Sequence, residues 1–360
     1  MKLKVLLCSI ILAVFSSKAQ EKEVPKIHTI DHPAVISEEF IYKLEDAPTL
    51  ECHASTVEAS GHVMVAAWFG GTKEKNKDVG IWVSRKTNTS WSVPVEVANG
   101  IQKDGSRYPC WNPVLFKPKD QPLHLFYKVG PSPREWWGLY ITSIDDGETW
   151  SDPVKLPEGI LGPIKNQPIQ LSDGTILSPS STESKTDGWR IHLESSNDLG
   201  QTWTKTEALN DTKAFGAIQP LILNYGHGKL QLLSRTKNSV VSQNWSEDYG
   251  KTWSEMSATA LSNPNSGIDG VSLKDGRQLL IYNPTKRNWG DRVPLSVAIA
   301  TDGEDWNRVF DLEPLRETTD KKEEEYSYPT VIQTQNNQVH IVYTWNRKTV
   351  KYVILDPDKL

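Results

Sequence analysis

The chain has 360 residues, 40 of them Lys or Arg and 45 Asp or Glu, giving a formal net charge of −5 with the signs mixed along its length. This balance offers no basic footprint for nucleic acid, and the length is enough to bury a large core. Fourteen tryptophans in a chain with few long helical patterns point to an all-β protein.

The first nineteen residues, MKLKVLLCSIILAVFSSKA, combine a basic start (Lys2, Lys4), an apolar stretch from Val5 to Phe15, and small residues at Ser17 and Ala19. The pattern predicts a signal peptide cut after Ala19, a secreted or periplasmic protein, and one mature domain over residues 20–360. The apolar stretch is too short to span a bilayer comfortably, and no other segment is apolar enough for a membrane. Beyond it the cysteines are Cys52 and Cys110. In an exported protein such a pair is either one bridge or two buried thiols.

The next strand pattern is AVISEEFIYKL (34–44). A repeated unit then begins: STVEASGHVMV from Ser55, PVLFKPKDQPLHLF from Pro113, PIQLSDGTIL from Pro168, PLILNYGHGKLQLL from Pro220, GVSLKDGRQLLIY from Gly270 and PTVIQTQNNQVHIVY from Pro329. Each copy predicts two strands joined by a tight turn. A third strand follows in VGIWVSR, GLYITS, RIHLESS, VVSQNWS and LSVAIAT, and a fourth in segments such as VPVEVA (93–98). The third strands run into a polar tag ending in tryptophan: SIDDGETW, SNDLGQTW and SEDYGKTW, with worn copies SRKTNTSW and ATDGEDW. These tryptophans stand at 91, 150, 203, 253 and 306, a period near fifty. Four strands in each of six units predict a six-bladed β-propeller. After Pro329 three strands fit, so the strand at 34–44 is expected to complete the last blade and close the ring, leaving no free sheet edge. The tags fall at the turn between third and fourth strands. There Asp and Ser can bond turn backbone, Gly takes the strained position and Trp packs between strands, so they are folding devices.

The motif S-x-D-x-G-x-T-W on a six-bladed propeller resembles the Asp-box repeats of the sialidase (neuraminidase) superfamily, especially its BNR-like bacterial members. The resemblance implies a glycan-binding axial pocket in which three arginines hold a substrate carboxylate, a task suited to the planar, permanently charged guanidinium fork. The second and third family arginines match Arg235 in LQLLSRTK and Arg292 in DRVPLSVAIATDG, while His53 stands where the first belongs. The family nucleophile, a tyrosine before serine, matches Tyr326 of EEEYSYPTVI. A phenol suits an anomeric carbon whose own carboxylate would repel Asp or Glu. The family glutamate base is replaced by Gln219, which cannot take a proton. The family acid lies in the loop after the first hairpin, where Glu74 and Asp78 are the candidates.

Other polar residues gather at the same end of the inner strands, among them Arg107, Asn112 and Gln167, and suit sugar hydroxyls. No metal-ligand spacing or phosphate loop is present, so neither metal nor cofactor is expected. The expected activity is an exported, exo-acting glycoside hydrolase that removes a terminal acidic sugar. Two alternatives are a hydrolase or lyase acting on uronate-containing polysaccharide, with His53 as acid or base, and a glycan-binding propeller without catalysis.

Overall fold

The computed structural model describes residues 27–315 and 324–360, and the signal-peptide segment lies outside them. Six antiparallel sheets are arranged as the blades of a propeller. Blade 1 holds Glu51–Ser60, Val63–Gly71 and Gly80–Thr87, with two short outer strands, Ser90–Trp91 and Val95–Ala98, both paired to the third. Blade 2 holds Cys110–Phe116, Leu123–Val129, Trp137–Ser143 and Val154–Lys155. Blade 3 holds Ile169–Gln170, Ile176–Ser184, Gly188–Ser196 and Thr204–Lys205. Blade 4 comprises Ala217–Gly226, Lys229–Thr236, Val240–Ser246 and Ser257–Ser262, and blade 5 Asp269–Ser272, Gln278–Tyr282, Leu295–Ala300 and Asn307–Glu313. Blade 6 takes Tyr326–Gln333, Val339–Trp345 and Thr349–Leu355 from the end of the chain and Val35–Phe40 from near its start. That last strand pairs antiparallel with the third, Phe40 opposite Lys351 and Glu38 opposite Val353, so the ring closes as the repeat count requires.

Because each sheet is covered on both faces by its neighbours, middle strands read as unbroken buried runs, as in Val339–Trp345. Six apolar clusters result, each shared between adjacent blades. The largest joins Leu279, Ile281 and Val297 of blade 5 to Ile341, Tyr343 and Val353 of blade 6. Cys52 and Cys110 are both free and buried, so the bridge does not form.

The Ser–Asp–Gly–Thr bonds of the tags are alike in blades 2, 3 and 4, and the tryptophan bond is shared by blades 3 and 4. In blade 3 Ser196 Oγ donates to Asp198 Oδ1 (2.9 Å) and accepts from the Gly200 N–H (2.7 Å). Asp198 also takes the Thr202 N–H (2.8 Å) and hydroxyl (2.6 Å), and Trp203 Nε1 donates to the Gly200 carbonyl (3.0 Å). The Thr202 bonds hold the Asp198 carboxyl low, at about 2. A depressed folded-state value stabilises above the unfolded pKa of about 3.9 and is lost as pH falls through the folded one. Asp198→Ala is therefore expected to lower the melting temperature at neutral pH and to flatten its decline between pH 4 and 2, measured by circular dichroism; an unchanged melt would remove the tag from the folding account.

Four inner strands carry the same irregularity. Between His53 and Thr56, Trp111 and Val114, Ile218 and Leu221, and Ser327 and Thr330, each holds one residue more than its partner strand. The bulge residues Ala54, Asn112, Gln219 and Tyr328 have φ of 53°, 34°, 55° and 53°. A non-glycine residue in this region costs about 1–2 kcal/mol, and bulges of this kind re-aim a side chain at the rim of a sheet.

Candidate functional site

The inner strands begin at one end of the ring axis. The turns between second and third strands lie at that same end, because the strands are antiparallel. Arg235 approaches the end of the second strand of blade 4 and is 1% exposed. Its Nε donates to Asn265 Oδ1 (2.8 Å), its Nη2 to the Asn265 carbonyl, and its Nη1 to Gln219 Oε1 (3.2 Å) and Tyr328 Oη (2.8 Å). Burial lowers its pKa, with Arg292 adding to the effect and Tyr328 opposing it. A buried cation of this kind needs such satisfied partners, since leaving one of its donors unpaired typically costs about 1–3 kcal/mol. Trp289 covers the guanidinium from above, 5.5 Å from ring centre to Cζ.

Tyr328 is the centre of the cluster. Arg292 Cζ lies 5.5 Å from its ring centre, and the His53 ring 4.2 Å from it. Arg292 Nη1 pairs with Glu325 Oε1 (2.7 Å), and Arg347 Nε with Glu325 Oε2 (3.0 Å). Arg347 comes from the last turn of blade 6 and crosses to blade 1, where Nη1 meets Glu74 Oε2 (2.6 Å) and Nη2 lies 3.5 Å from His53 Nε2. Burial alone would raise the Glu325 carboxyl, but Arg292, His53 and Arg347 outweigh it and hold it well below the usual carboxylate range. Burial, then Arg347, drives His53 well below the usual imidazole value, and its buried Nδ1 has no hydrogen-bond partner among the described residues. Arg235 and Arg292 thus lie against the phenol of Tyr328, with Arg347, Glu325, Glu74 and His53 linked to them, and the Arg235 guanidinium meets only neutral hydrogen-bond partners.

Several expectations are corrected. Tyr326 is fully buried between blades 5 and 6, its ring 6.1 Å from that of Trp345. Strand alternation would give Tyr326 and Tyr328 the same face. The extra residue in the bulge separates them, and it is the Tyr328 ring that lies beside Arg235, Arg292 and His53. Asp78 accepts from the Thr72 N–H (2.7 Å) and hydroxyl inside its own loop. Slight burial opposes these bonds, which hold its carboxyl low, the reverse of what a general acid needs. Arg107 sits at the outer edge of blade 1, beside Glu96 (3.5 Å) and the Asp78 carbonyl (3.1 Å). Gln167 gives its amide to the Val57 and Leu115 carbonyls (both 2.9 Å), stitching inner strands together. Asn112 holds the blade 2 bulge, the counterpart of Gln219 and Tyr328. His53, Glu74, Arg235, Arg292 and Gln219 do converge.

Tyr328, Glu325 and Arg347 were missed by reasoning on sequence. One signal was available for Tyr328: Asn112, Gln167, Gln219 and Tyr328 each precede the proline that opens a repeat copy. Among the described residues no three His, Cys, Asp or Glu side chains cluster as metal ligands.

The neutral state of His53 has a consequence for stability. Below the unfolded value of about 6.5 the unfolded chain binds a proton that the native state refuses, so stability falls with pH at up to about 1.4 kcal/mol per unit. His53→Gln is expected to flatten the dependence of urea-unfolding free energy on pH between 7 and 5; an unchanged slope would mean that His53 is charged in the native state.

The sequence profile of the BNR repeat-like domain matches residues 61–341. Two curated sialidases, from Bacteroides fragilis and Paraclostridium sordellii, are 28% identical over 201 residues and 29% identical over 189. Each match covers 46% of this chain but 35% and 46% of the relative, so the chain spans less than half the length of these proteins. Among solved structures, a Hadza microbial sialidase superposes with a TM-score of 0.74 at 15% identity, covering 90% of this chain and 69% of that one. The NanB sialidase of Streptococcus pneumoniae gives 0.68 at 13%, covering 87% and 70%. A protein of unknown function from Dyadobacter fermentans gives 0.71 at 17%, covering 89% and 98%. At these identities the structures speak for the propeller fold, and the profile match, covering most of the chain, makes this protein a member of the BNR repeat-like domain family.

Proposed function

We propose that the chain is an exported, exo-acting glycoside hydrolase of sialidase type that removes a terminal acidic sugar from glycans. One observation carries this: Arg235 bonds the phenol oxygen of Tyr328, Arg292 lies against its ring, and Arg347 joins the set through Glu325 and His53. The guanidinium groups bind the sugar carboxylate. Tyr328 Oη attacks the anomeric carbon, forming a glycosyl–tyrosine bond as the bond to the leaving oxygen breaks. Glu74 is the loop carboxyl paired with Arg347 beside His53; once that pair opens it takes up a proton from water and passes it to the leaving oxygen. Gln219 cannot receive the phenol proton, and His53, whose ring lies 4.2 Å from that of Tyr328, takes that role once the bound carboxylate draws Arg347 away from its Nε2. Water then cleaves the glycosyl–tyrosine bond and releases the sugar. Export rests on residues 1–19; no helix among the described residues is long and apolar enough to cross a membrane.

A second reading is favoured by the bond from Gln219. Its Nε2 donates to Tyr328 Oη (3.5 Å), and with Arg235 also donating, the phenol oxygen accepts twice. Its own proton is then left for a ligand, which suits a general acid. In this reading a uronate is cleaved by elimination: His53 removes the proton beside the carboxylate, the electron pair forms a C=C bond, and Tyr328 protonates the departing oxygen.

Incubation of purified protein with sialylated glycans and with uronate-bearing oligosaccharides separates the two. Free sialic acid is expected. An absorbing unsaturated uronate in its place would move the assignment to elimination, and binding without release of either would sink both in favour of a glycan-binding propeller.

A further inference from the structure

Beside the axial pocket lies a second cavity, a cleft of about 820 Å³ between blades 2 and 3. Its walls are the turn of blade 2 with Arg134 and Trp136, the start of the third strand with Trp137, the outer strand with Lys155, and Glu183 and Lys205 of blade 3. Nothing in the chemistry assigned to Tyr328 uses these residues. Two features connect the cleft to the pocket. A line of rings runs from His53 to Phe69 (5.7 Å), Trp111 (6.3 Å) and Trp136 (6.0 Å), so the pocket wall continues as the cleft wall. Glu183 lines the cleft, and its carboxyl is raised by burial while Arg235 and Arg134 both oppose the rise. The cleft is also furnished for a polar ligand with flat faces. The buried Trp136 Nε1–H has no partner among the described residues, and Lys155 Nζ lies 5.5 Å over the Trp137 ring.

We propose that this cleft binds the oligosaccharide to which the terminal acidic sugar is attached, its rings lying on Trp136 and Trp137 and its hydroxyls meeting Trp136 Nε1, Glu183 and Arg134. The proposal rests on the pocket being a site for a terminal acidic sugar. The volume falls within the ~300–1,000 Å³ of pockets that enclose a drug-sized ligand, here roughly two to three sugar units. Aromatic faces with a few convergent polar groups are the lining such a ligand needs. The cations Arg134, Lys155 and Lys205 outnumber Glu158 and Glu183 along the walls, so acidic substituents on the chain are accepted.

The test is saturation-transfer NMR on the full chain with two linear pentasaccharides, one ending in sialic acid and one in a uronate. Signals on the second and third sugars of one probe are expected, lost in Trp136→Ala and weakened severalfold in Arg134→Ala. Arg134 is exposed, so its variant tests the cleft without disturbing the core. Signals confined to the terminal sugar, signals from neither probe, or the same pattern in all three proteins would overturn the proposal. Turnover is scored separately. Extended contacts without sugar release keep the cleft and sink the hydrolase reading, while release with contacts on the terminal sugar alone keeps the hydrolase and sinks the cleft.

Discussion

Tyr328→Phe is expected to cut sugar release at least about a hundredfold, whereas Tyr326→Phe leaves it within about twofold and acts on stability. The contrast follows from where the two phenols lie. Tyr328 Oη is the atom that Arg235 Nη1 reaches at 2.8 Å, inside the cluster with Arg292 and His53. Tyr326 is fully buried in the core cluster between blades 5 and 6. Removing the Tyr328 hydroxyl also leaves a buried Arg235 donor short of a partner, at about 1–3 kcal/mol, so a thermal melt must accompany the kinetics. Intact-mass measurement during turnover adds a readout that a structural role would not move: a glycosyl adduct present in the native chain and in Tyr326→Phe, but absent in Tyr328→Phe. The reverse pattern would transfer the chemistry to Tyr326 and discard the bulge as its explanation.

Gln219→Glu is expected to raise release of sialic acid by about tenfold or more, within the range that a positioned base contributes. The new carboxylate would stand where Gln219 Oε1 and Nε2 now lie, 3.2 Å from Arg235 Nη1 and 3.5 Å from Tyr328 Oη. It would turn a donor toward the phenol into an acceptor from it, while Arg235 balances the added charge. Steady-state rates on a sialoside and on a uronate oligosaccharide, with wild type alongside, decide the matter. A fall on the sialoside would mean that the phenol works as an acid and that the amide is required, which favours elimination.

The fold was legible because a propeller repeats a local pattern. The tags, the paired strands and the near-fifty period are each written within one blade, and the unfilled place in blade 6 pointed to residues 34–44. The site was legible only where it, too, was local. Arg235, Arg292 and Gln219 follow from the family resemblance, whose motifs are each defined within a single blade. Tyr326 matches the family motif of a tyrosine before serine, and the one-residue bulge that sets Tyr328 apart from it shows only when the repeats are compared at their prolines. Asp78, Arg107 and Gln167 looked like free polar groups, but turns and inner strands need their hydrogen bonds. Arg347 lies 273 residues from Glu74 and 294 from His53, a meeting that no periodicity encodes.

The seam of the ring gives the site a property of its own. Blade 6 is completed by Val35–Phe40, and it is the blade that carries Tyr328, Glu325 and Arg347 at its pocket end. Arg347 reaches across the join to Glu74 and His53 of blade 1. The full set around Tyr328 is therefore complete only in a ring whose first and last blades have docked. With that join open, Arg347 would keep Glu325 within blade 6 but lose Glu74 and His53. The proposed site thus depends on ring closure, and loosening at the join would alter it before the remaining blades came apart.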